Sequence, residues 1–199
     1  GCTPFREHWD KGTDDLALEA SNEAFAAAGI TKDDVDAYWL GTAQSGMSGI
    51  TLSRALQLQD KPVTRVENYC ASGSEALRQA CYAVASGAYD VAMAVGVEKV
   101  KDSGYQGLNA FPIPNDGTTR TLTAAGSFSM VAPAYAEKYG VPMEQLKRTL
   151  ARIASKNHFN GARNPRAQFR CEMSVEQICA MPNVAGDLSV FDCAGVADG

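Results

Sequence analysis

One cysteine stands where a thiol can act as a nucleophile, in the stretch 68–74, which reads NYCASGS. The residues before it, 62–67, predict a short strand, and residues 71–86 predict a helix that Gly87 ends. Cys70 would then lie beside the unpaired N–H groups that open a helix, whose partial positive charge favours the reactive thiolate. Gly73 and its small neighbours would let a substrate carbonyl approach closely. We therefore predict a nucleophilic Cys70, although a lone cysteine is more often an inert packing residue.

The other residues that could take part in acid–base chemistry are few. His8 and His158 are the only histidines, and we interpret both as surface or packing residues rather than as a base for Cys70. Glu98 follows an apolar strand, where α/β folds place functional groups, but it could equally pair with Lys99 or Lys101 or bind backbone. The sequence therefore supplies a nucleophile without a convincing base.

A basic segment covers residues 147–170 and holds seven of the 18 lysines and arginines, with no acidic residue. Its members are Lys147, Arg148, Arg152, Lys156, Arg163, Arg166 and Arg170. Guanidinium groups bind phosphate with two parallel hydrogen bonds, so a phosphate site is one interpretation. A solvated helix face or a subunit contact explains the segment equally well. A net charge of −5 and the scarcity of stacking aromatics argue against a nucleic-acid partner.

Composition sets further bounds on the class of protein. The chain has 199 residues, 45% of them hydrophobic and 21% charged, which is typical of a globular protein. No apolar run approaches the roughly 20 residues of a membrane span. The six cysteines include no Cys-x-x-Cys pair, which argues against a zinc site and a disulfide scaffold and favours a reducing, cytoplasmic compartment.

Strands and helices alternate over the first 100 residues. A helix is predicted from Thr13, as N-cap, to Gly29, and strands are predicted at 35–40, 62–67 and 91–97, with a helix at 50–58. The last of these strands is apolar throughout, as expected for a strand that is buried on both faces. This alternation predicts βαβ units and a parallel sheet.

The pattern changes after residue 100. Five residues predict a loop: Gly104, Gly107, Pro112, Pro114 and Gly117. Helices follow at about 128–139 and from Pro142 onward, and no strand is predicted before 189–191. We therefore divide the chain into an α/β core at 1–100, a helical insertion at 101–186 and a returning segment at 187–199.

Five stretches, in order and spacing, resemble the thiolase superfamily, and most of all its sterol-carrier-protein-type branch of acetyl-CoA acetyltransferase-like proteins. They are residues 1–5, the turn at 68–74, the strand end at 94–99, residues 164–169, and Asp192 with 197–199. The resemblance covers the chain as the N-terminal half of a thiolase. It implies an α/β fold, the N-terminal βαβαβαβ half, with a truncated first strand and residues 101–186 as the inserted loop domain.

The same resemblance implies an activity. Cys70 would take the acyl group of an acyl-CoA as a thioester, which a second acyl-CoA attacks as a carbanion, or through which free CoA cleaves a 3-ketoacyl-CoA. The Cys70 N–H would contribute to an oxyanion hole. Because the loop domain of thiolases holds CoA, Arg163, Arg166 and Arg170 become candidates for its phosphates. A CoA thioester is then the substrate, and no bound cofactor or metal is expected.

The resemblance also implies what these 199 residues lack. The activating histidine, the second cysteine and the Asn-Glu-Ala-Phe loop belong to the C-terminal half of a thiolase, so we expect a fragment that is inactive alone. We expect a homodimer or a higher oligomer of the intact protein. Two alternatives stay open. One is a thiolase-like lyase subunit with an OB-fold, zinc-ribbon partner, to which Tyr69 gives weak support; the other is a non-catalytic subunit that binds CoA or lipid.

Overall fold

The chain folds into two units. The computed structural model describes the backbone of residues 1–103, 112–115, 118–121 and 123–199. The first unit is Gly1–Gly104 with Ala197–Gly199, and the second is Tyr105–Val196. The division into three segments that the sequence predicts, at 1–100, 101–186 and 187–199, remains a prediction.

A parallel sheet of three strands organises the first unit. Its strands are β1 (Ala37–Gly41), β2 (Val63–Val66) and β3 (Ala92–Gly96), in the order β2-β1-β3. Helices α1 (Thr13–Ala28) and α2 (Ile50–Leu56) cover one face, and α3 (Ser72–Ala85) covers the other. The predicted alternation of strands and helices and the parallel sheet are confirmed.

The core lies on both faces of the central strand. Tyr38 and Leu40 of β1 pack with α1 and α2, whereas Trp39 packs with α3, so that every residue of β1 is buried. Burial on both faces was also predicted for 91–97, and residues of β3 do pack into the core on both faces. The burial is partial in the first three residues of β3, because β3 is an outer strand of the three.

The helix ends test the local predictions. Gly29, with φ of 69°, ends α1 as predicted. The N-cap is Gly12 rather than Thr13, and the Asp15 carboxylate accepts the Gly12 N–H at 2.9 Å. Asp15 can reach back over the first turn in this way, and Thr13 thereby becomes the first helical residue.

In its described residues, the second unit combines helices with two short pairs of antiparallel strands. Its elements are β4 (Pro112–Asn115), β5 (Thr118–Thr121), α4 (Ala124–Phe128), α5 (Val131–Tyr139), α6 (Met143–Arg163), α7 (Val175–Cys179), β6 (Asn183–Ala185) and β7 (Leu188–Ser189). Strand β4 pairs with β5, and β6 with β7, both antiparallel. Ala151 and Ala154 of α6 pack with Ile178 of α7 to form a small core.

Three expectations for the second unit need correction. The helix predicted at 128–139 is α5, which ends at Tyr139 as predicted but begins at Val131, while Phe128 ends the separate helix α4. Pro112 and Pro114 lie in strand β4 rather than in a loop, because a two-stranded ribbon tolerates proline where a central strand does not. Strands also precede residue 189, since β4, β5 and β6 do so. The predicted loop residues Gly104, Gly107 and Gly117 lie outside the described residues.

Candidate active site

The three parallel strands of the first unit end side by side. The last residue of β1, Gly41, is in register with Val66 of β2 and with Gly96 of β3. Cys70 follows Val66 by four residues and so belongs to the connection that leaves this edge of the sheet. The carboxyl edge of a parallel sheet is where α/β proteins hold ligands and reacting groups.

Cys70 lies in a tight turn between β2 and α3, two residues before the helix starts at Ser72. Its thiol is exposed. The residue before it, Tyr69, has φ of 49°, a left-handed conformation that costs a non-glycine residue about 1–3 kcal/mol. The Asn68 carbonyl accepts the Ala71 N–H at 3.0 Å, and the Tyr69 carbonyl accepts the Ser72 N–H at 3.0 Å. Cys70 is thus presented by a hydrogen-bonded and strained backbone.

Small residues decide how closely the helix start approaches the sheet. A Cβ atom on Gly41 would lie 2.5 Å from the Ser72 carbonyl oxygen, so the first turn of α3 rests directly on the end of β1. On Gly73, the second residue of α3, a Cβ atom would meet nothing within 4 Å. The helix start is therefore packed tightly against the sheet and open toward its other side, where a ligand has room.

The carboxylate of Glu98 accepts hydrogen bonds from the loop that follows β1. Glu98 accepts the N–H of Ala43 at 2.7 Å and of Gln44 at 3.1 Å, and the hydroxyls of Thr42 at 3.2 Å and Ser45 at 2.6 Å. Every one of these donors lies in the loop 42–45. Of the roles considered for Glu98, the structure shows the bond to backbone, so this acid organises the carboxyl edge of the sheet.

The opposite side of the same loop is held by an arginine. Arg65 Nη2 of β2 donates to the Thr42 carbonyl at 2.9 Å and to the Ala43 carbonyl at 3.0 Å. The loop is thus fixed through its N–H groups by Glu98 and through its carbonyl groups by Arg65. Sequence reasoning missed this role of Arg65, since no local pattern links it to residues 23 positions earlier.

A buried ion pair joins the segment after β3 to the last residues of the chain. Lys99 Nζ lies 2.9 Å from Asp198 Oδ2 and 2.6 Å from Asp102 Oδ1. Burial alone would lower the pKa of Lys99, but the hydrogen bonds that its ammonium donates to Asp102 and Asp198 outweigh burial and raise that pKa. The sequence carries no local signal for this pair, because its partners are 99 positions apart.

Asp198 is fully buried and is held by backbone as well as by Lys99. It accepts the His8 N–H at 3.0 Å and the Lys101 N–H at 3.0 Å. Burial alone would raise the pKa of this carboxyl, yet these donors and the Lys99 ammonium outweigh burial and hold the pKa below its ordinary value. Asp198 therefore stays ionised and ties the N-terminal segment to the end of β3.

Both histidines are engaged in local contacts. His8 is fully buried; its Nδ1 accepts from Arg6 Nε at 3.2 Å, which leaves Nε2 to donate to the Pro4 carbonyl at 2.7 Å. In the second unit, His158 Nδ1 lies 3.1 Å from the Cys171 carbonyl oxygen, and the ring packs edge-on against Phe191. These contacts agree with the interpretation of both as packing residues.

The basic segment lies in the second unit, mostly on α6. Three of its seven members form ion pairs: Lys147 with Asp187 at 3.1 Å, Arg148 with Glu176 at 3.3 Å, and Arg163 with Glu172 at 2.8 Å. Arg163 also donates to the Phe159 carbonyl and lies over the Phe159 ring. Arg170 is exposed and forms no ion pair with the part of the chain that the structure describes. The backbone N–H of Arg166 donates to Asn164 Oδ1 at 2.9 Å.

Two other kinds of site are not found in the described residues. No helix there is both long and apolar enough to cross a membrane. Nor do three or more histidine, cysteine, aspartate or glutamate side chains come together there in a way that could hold a metal ion.

Two solved structures share the fold of this chain. The chain is similar to the "Ltp2-ChsH2(DUF35) aldolase", with a TM-score of 0.73 and 24% identity, covering 100% of this chain and 51% of that one. It is also similar to human mitochondrial 3-ketoacyl-CoA thiolase in complex with CoA, with a TM-score of 0.69 and 19% identity, covering 98% and 60% of the two chains. The predicted thiolase-like α/β fold is confirmed.

Sequence comparison identifies the family. Residues 2–181 match the family model described as the N-terminal domain of thiolase. The chain is 35% identical to the acetyl-CoA acetyltransferase of Methanothermobacter thermautotrophicus, covering 99% of this chain and 52% of that enzyme. It is 31% identical to human sterol carrier protein 2, covering 93% and 36% of the two. The chain belongs to the thiolase family, as the resemblance indicated, and it spans about half the length of the acetyltransferase.

Proposed function

We propose that Cys70 is the acyl acceptor of a thiolase-type acyltransferase. The observation that carries this proposal is an exposed thiol in a strained turn at the start of α3, in a chain of the thiolase family. The Cys70 thiolate attacks the thioester carbonyl of an acyl-CoA, and the tetrahedral intermediate expels CoA as its thiolate. The acyl group is left on Cys70 as a thioester, which keeps its carbonyl carbon electrophilic.

The second half of the reaction consumes that thioester. In the synthetic direction a carbanion formed from a second acyl-CoA attacks the acyl carbon and releases the Cys70 thiolate. In the degradative direction a 3-ketoacyl-CoA acylates Cys70 with loss of a shorter acyl-CoA, and free CoA then removes the acyl group. The Cys70 N–H at the opening of α3 would stabilise the oxyanion in both directions, and the open space above Gly73 supports access to it.

The CoA phosphates are proposed to meet the basic segment of the second unit. Arg163, Arg166 and Arg170 are the candidates, and the described contacts separate two of them. Arg163 already pairs with Glu172, whereas Arg170 is exposed without an ion pair among the described residues. We expect Arg170→Ala to weaken CoA binding more than Arg163→Ala does, as measured by calorimetric titration. Equal affinities for the two variants and the parent protein would remove both from the CoA site.

A covalent adduct tests the role of Cys70. The intact protein is incubated with acetyl-CoA, digested and analysed by mass spectrometry, and we expect one acetyl group on Cys70. Cys81, an exposed thiol on α3, is the matched control, so Cys81→Ser should keep the adduct and Cys70→Ser should lose both adduct and activity. Normal activity of Cys70→Ser would refute the proposal.

We further propose that these 199 residues do not turn over alone. The one histidine of the first unit, His8, is buried and hydrogen-bonded, so it is not free to serve as a base for Cys70. The chain also spans only 52% of the acetyltransferase that it matches. Measurable thiolysis of acetoacetyl-CoA by the isolated chain would contradict this expectation.

The lyase and non-catalytic alternatives remain to be separated from acyl transfer. The likeness to the Ltp2-ChsH2 aldolase is one of fold and favours neither chemistry. Co-purification with a small OB-fold, zinc-ribbon protein, together with aldol cleavage that survives Cys70→Ser, would identify a lyase subunit acting on a side-chain acyl-CoA. CoA binding without any adduct or cleavage would identify a subunit that only binds CoA or lipid.

Assembly and compartment complete the proposal. We expect the intact protein to be a homodimer or a higher oligomer, which light scattering can measure. All six cysteines are free, as expected of a protein that works in the reducing cytoplasm.

A further inference from the structure

The Ser72 side chain bonds to the backbone of both residues that precede Cys70. Its Oγ accepts the Asn68 N–H at 2.8 Å and donates to the Tyr69 carbonyl at 2.7 Å. A hydroxyl has one proton to donate and lone pairs to accept with, so both bonds form at once. Ser72 therefore connects the two residues before Cys70 to the residue that starts α3.

The anchor of these bonds is fixed by packing. Ser72 is 5% exposed, and its carbonyl oxygen lies where a side chain on Gly41 would otherwise stand. The serine thus cannot shift away from the end of β1 without opening the contact between helix and sheet. Because the serine is fixed against the sheet, its hydroxyl also fixes the backbone of residues 68 and 69 relative to the sheet.

The turn needs such a restraint, since its conformation is unfavourable. Tyr69 is left-handed, with φ of 49°, and only glycine adopts that region without strain. The Ser72 hydroxyl and N–H both bond to the Tyr69 carbonyl, and the Glu67 carboxylate accepts the Tyr69 N–H at 2.5 Å. No hydrogen bond from the exposed Cys70 thiol occurs among the described residues, so the position of the sulfur depends on the backbone of the turn and on the χ1 rotamer that this backbone allows.

We propose that Ser72 is a positioning residue for Cys70. Its hydroxyl maintains the left-handed turn at Tyr69 and thereby aims the thiol at the acyl carbon. This inference rests on the proposed role of Cys70 as acyl acceptor. Ser72 itself does not touch the reacting atoms, and its effect on the reaction passes through the backbone of residues 68–70.

Two reactions of the same thiol distinguish positioning from general stability. Acyl transfer from acetyl-CoA requires a defined approach of sulfur to carbonyl, whereas iodoacetamide is small and reaches an exposed thiol from many directions. In the intact protein we expect Ser72→Ala to slow acetylation of Cys70 by about tenfold or more, since small misplacements of a reacting group are costly. Alkylation of Cys70 should stay close to the parent rate.

A matched control and a rescue variant accompany this comparison. Ser86 lies at the other end of the same helix, where its Oγ donates to the Ala83 carbonyl at 3.0 Å, and Ser86→Ala should change neither rate. Tyr69→Gly, placed in the Ser72→Ala background, removes the strain at the turn and should recover part of the acetylation rate. This double variant also covers the case in which Ser72→Ala by itself folds poorly.

The outcomes separate the inference from the function on which it rests. Acetylation of Ser72→Ala at the parent rate would overturn the positioning role alone. An equal loss of acetylation and alkylation would also overturn it, because general loosening of the fold would explain both. A parent protein whose Cys70 is never acetylated would refute the proposed function, and the positioning role would fall with it.

Discussion

The buried pair of Lys99 and Asp198 provides the sharpest test of what stabilises the first unit. Replacing Asp198 by Asn keeps the shape of the side chain and one oxygen for the backbone donors, but removes the negative charge. The Lys99 side chain is only 4% exposed, so its ammonium is then left inside the protein with Asp102 as its one carboxylate partner. Since the His8 N–H bonds to Oδ2 and the Lys101 N–H bonds to Oδ1, the change also leaves one of these two backbone donors facing the amide NH2.

The expected cost follows from burial. Removing one partner of a buried ion pair costs about 3–5 kcal/mol, because the other charge stays uncompensated. Asp102 still contacts the ammonium and Asn still accepts one hydrogen bond, so the lower end, about 3 kcal/mol, is expected. The matched control is Asp102→Asn, whose side chain is 56% exposed and whose loss should cost no more than about 1 kcal/mol. Two carboxylates on one ammonium should thus differ about threefold in effect.

The assay is urea unfolding followed by tryptophan fluorescence. Both tryptophans, Trp9 and Trp39, lie in the first unit, and the Lys99 ammonium lies over the Trp9 ring, so the signal reports this unit. Because the pKa of Asp198 is lowered by folding, its stabilisation is present above the unfolded pKa of about 3.9 and is lost as the pH falls through the lower folded value. The difference between parent and Asp198→Asn should shrink in that acidic range.

Two results would refute this reasoning. Equal, small losses for Asp198→Asn and Asp102→Asn would mean that burial does not control the strength of the pair. A double variant, Lys99→Met with Asp198→Asn, removes both charges and should lose less stability than the sum of the single variants. Strict additivity would show that the two groups do not interact appreciably.

Three further predictions concern the sheet edge and the core. Gly41→Ala should lower the free energy of unfolding, because its Cβ would lie 2.5 Å from a backbone oxygen of α3, whereas Gly73→Ala should be neutral or stabilising; similar losses would contradict the tight contact. Glu98→Ala should speed hydrogen exchange of the amides in the loop 42–45, and unchanged protection factors would contradict the role of this carboxylate. Burial and, to a lesser extent, the charge of Asp33 raise the pKa of Tyr38 to about 12. The neutral phenol therefore stabilises the folded state fully below the unfolded pKa of about 10, and this stabilisation is lost as the pH rises through about 12. Tyr38→Phe should abolish this alkaline dependence of the free energy of unfolding in unfolding titrations.

Local patterns were sufficient for most elements of the first unit. β-branched and apolar runs predicted β1, β2 and β3 to within two residues at either end, and Gly29 marked the end of α1. The N-cap of α1 was misplaced by one residue, because Asp15 reaches back to Gly12. The antiparallel pair of β4 and β5 was missed, since a short ribbon with two prolines has none of the alternation that predicts a strand.

The candidate site divides in the same way. Cys70, its turn and the helix behind it were readable from a few neighbouring residues, because strand, turn and helix signals are local in the chain. The hydrogen bonds between Glu98 and the loop 42–45, about 55 positions away in the chain, could not be predicted from the sequence. A carboxylate at a strand end looks the same in sequence whether it binds a substrate, a lysine or a loop.

By itself, the sequence determined the thiolase family, the parallel α/β core and Cys70 as the candidate nucleophile, since each depends on short stretches of characteristic residues. Only the tertiary structure decided what supports that nucleophile: the contact at Gly41, the Ser72 hydroxyl on a left-handed Tyr69, and the buried pair of Lys99 and Asp198. The physical reason is that packing, hydrogen-bond geometry and desolvation depend on which groups meet in space, and folding brings together groups as far apart in the chain as residues 99 and 198.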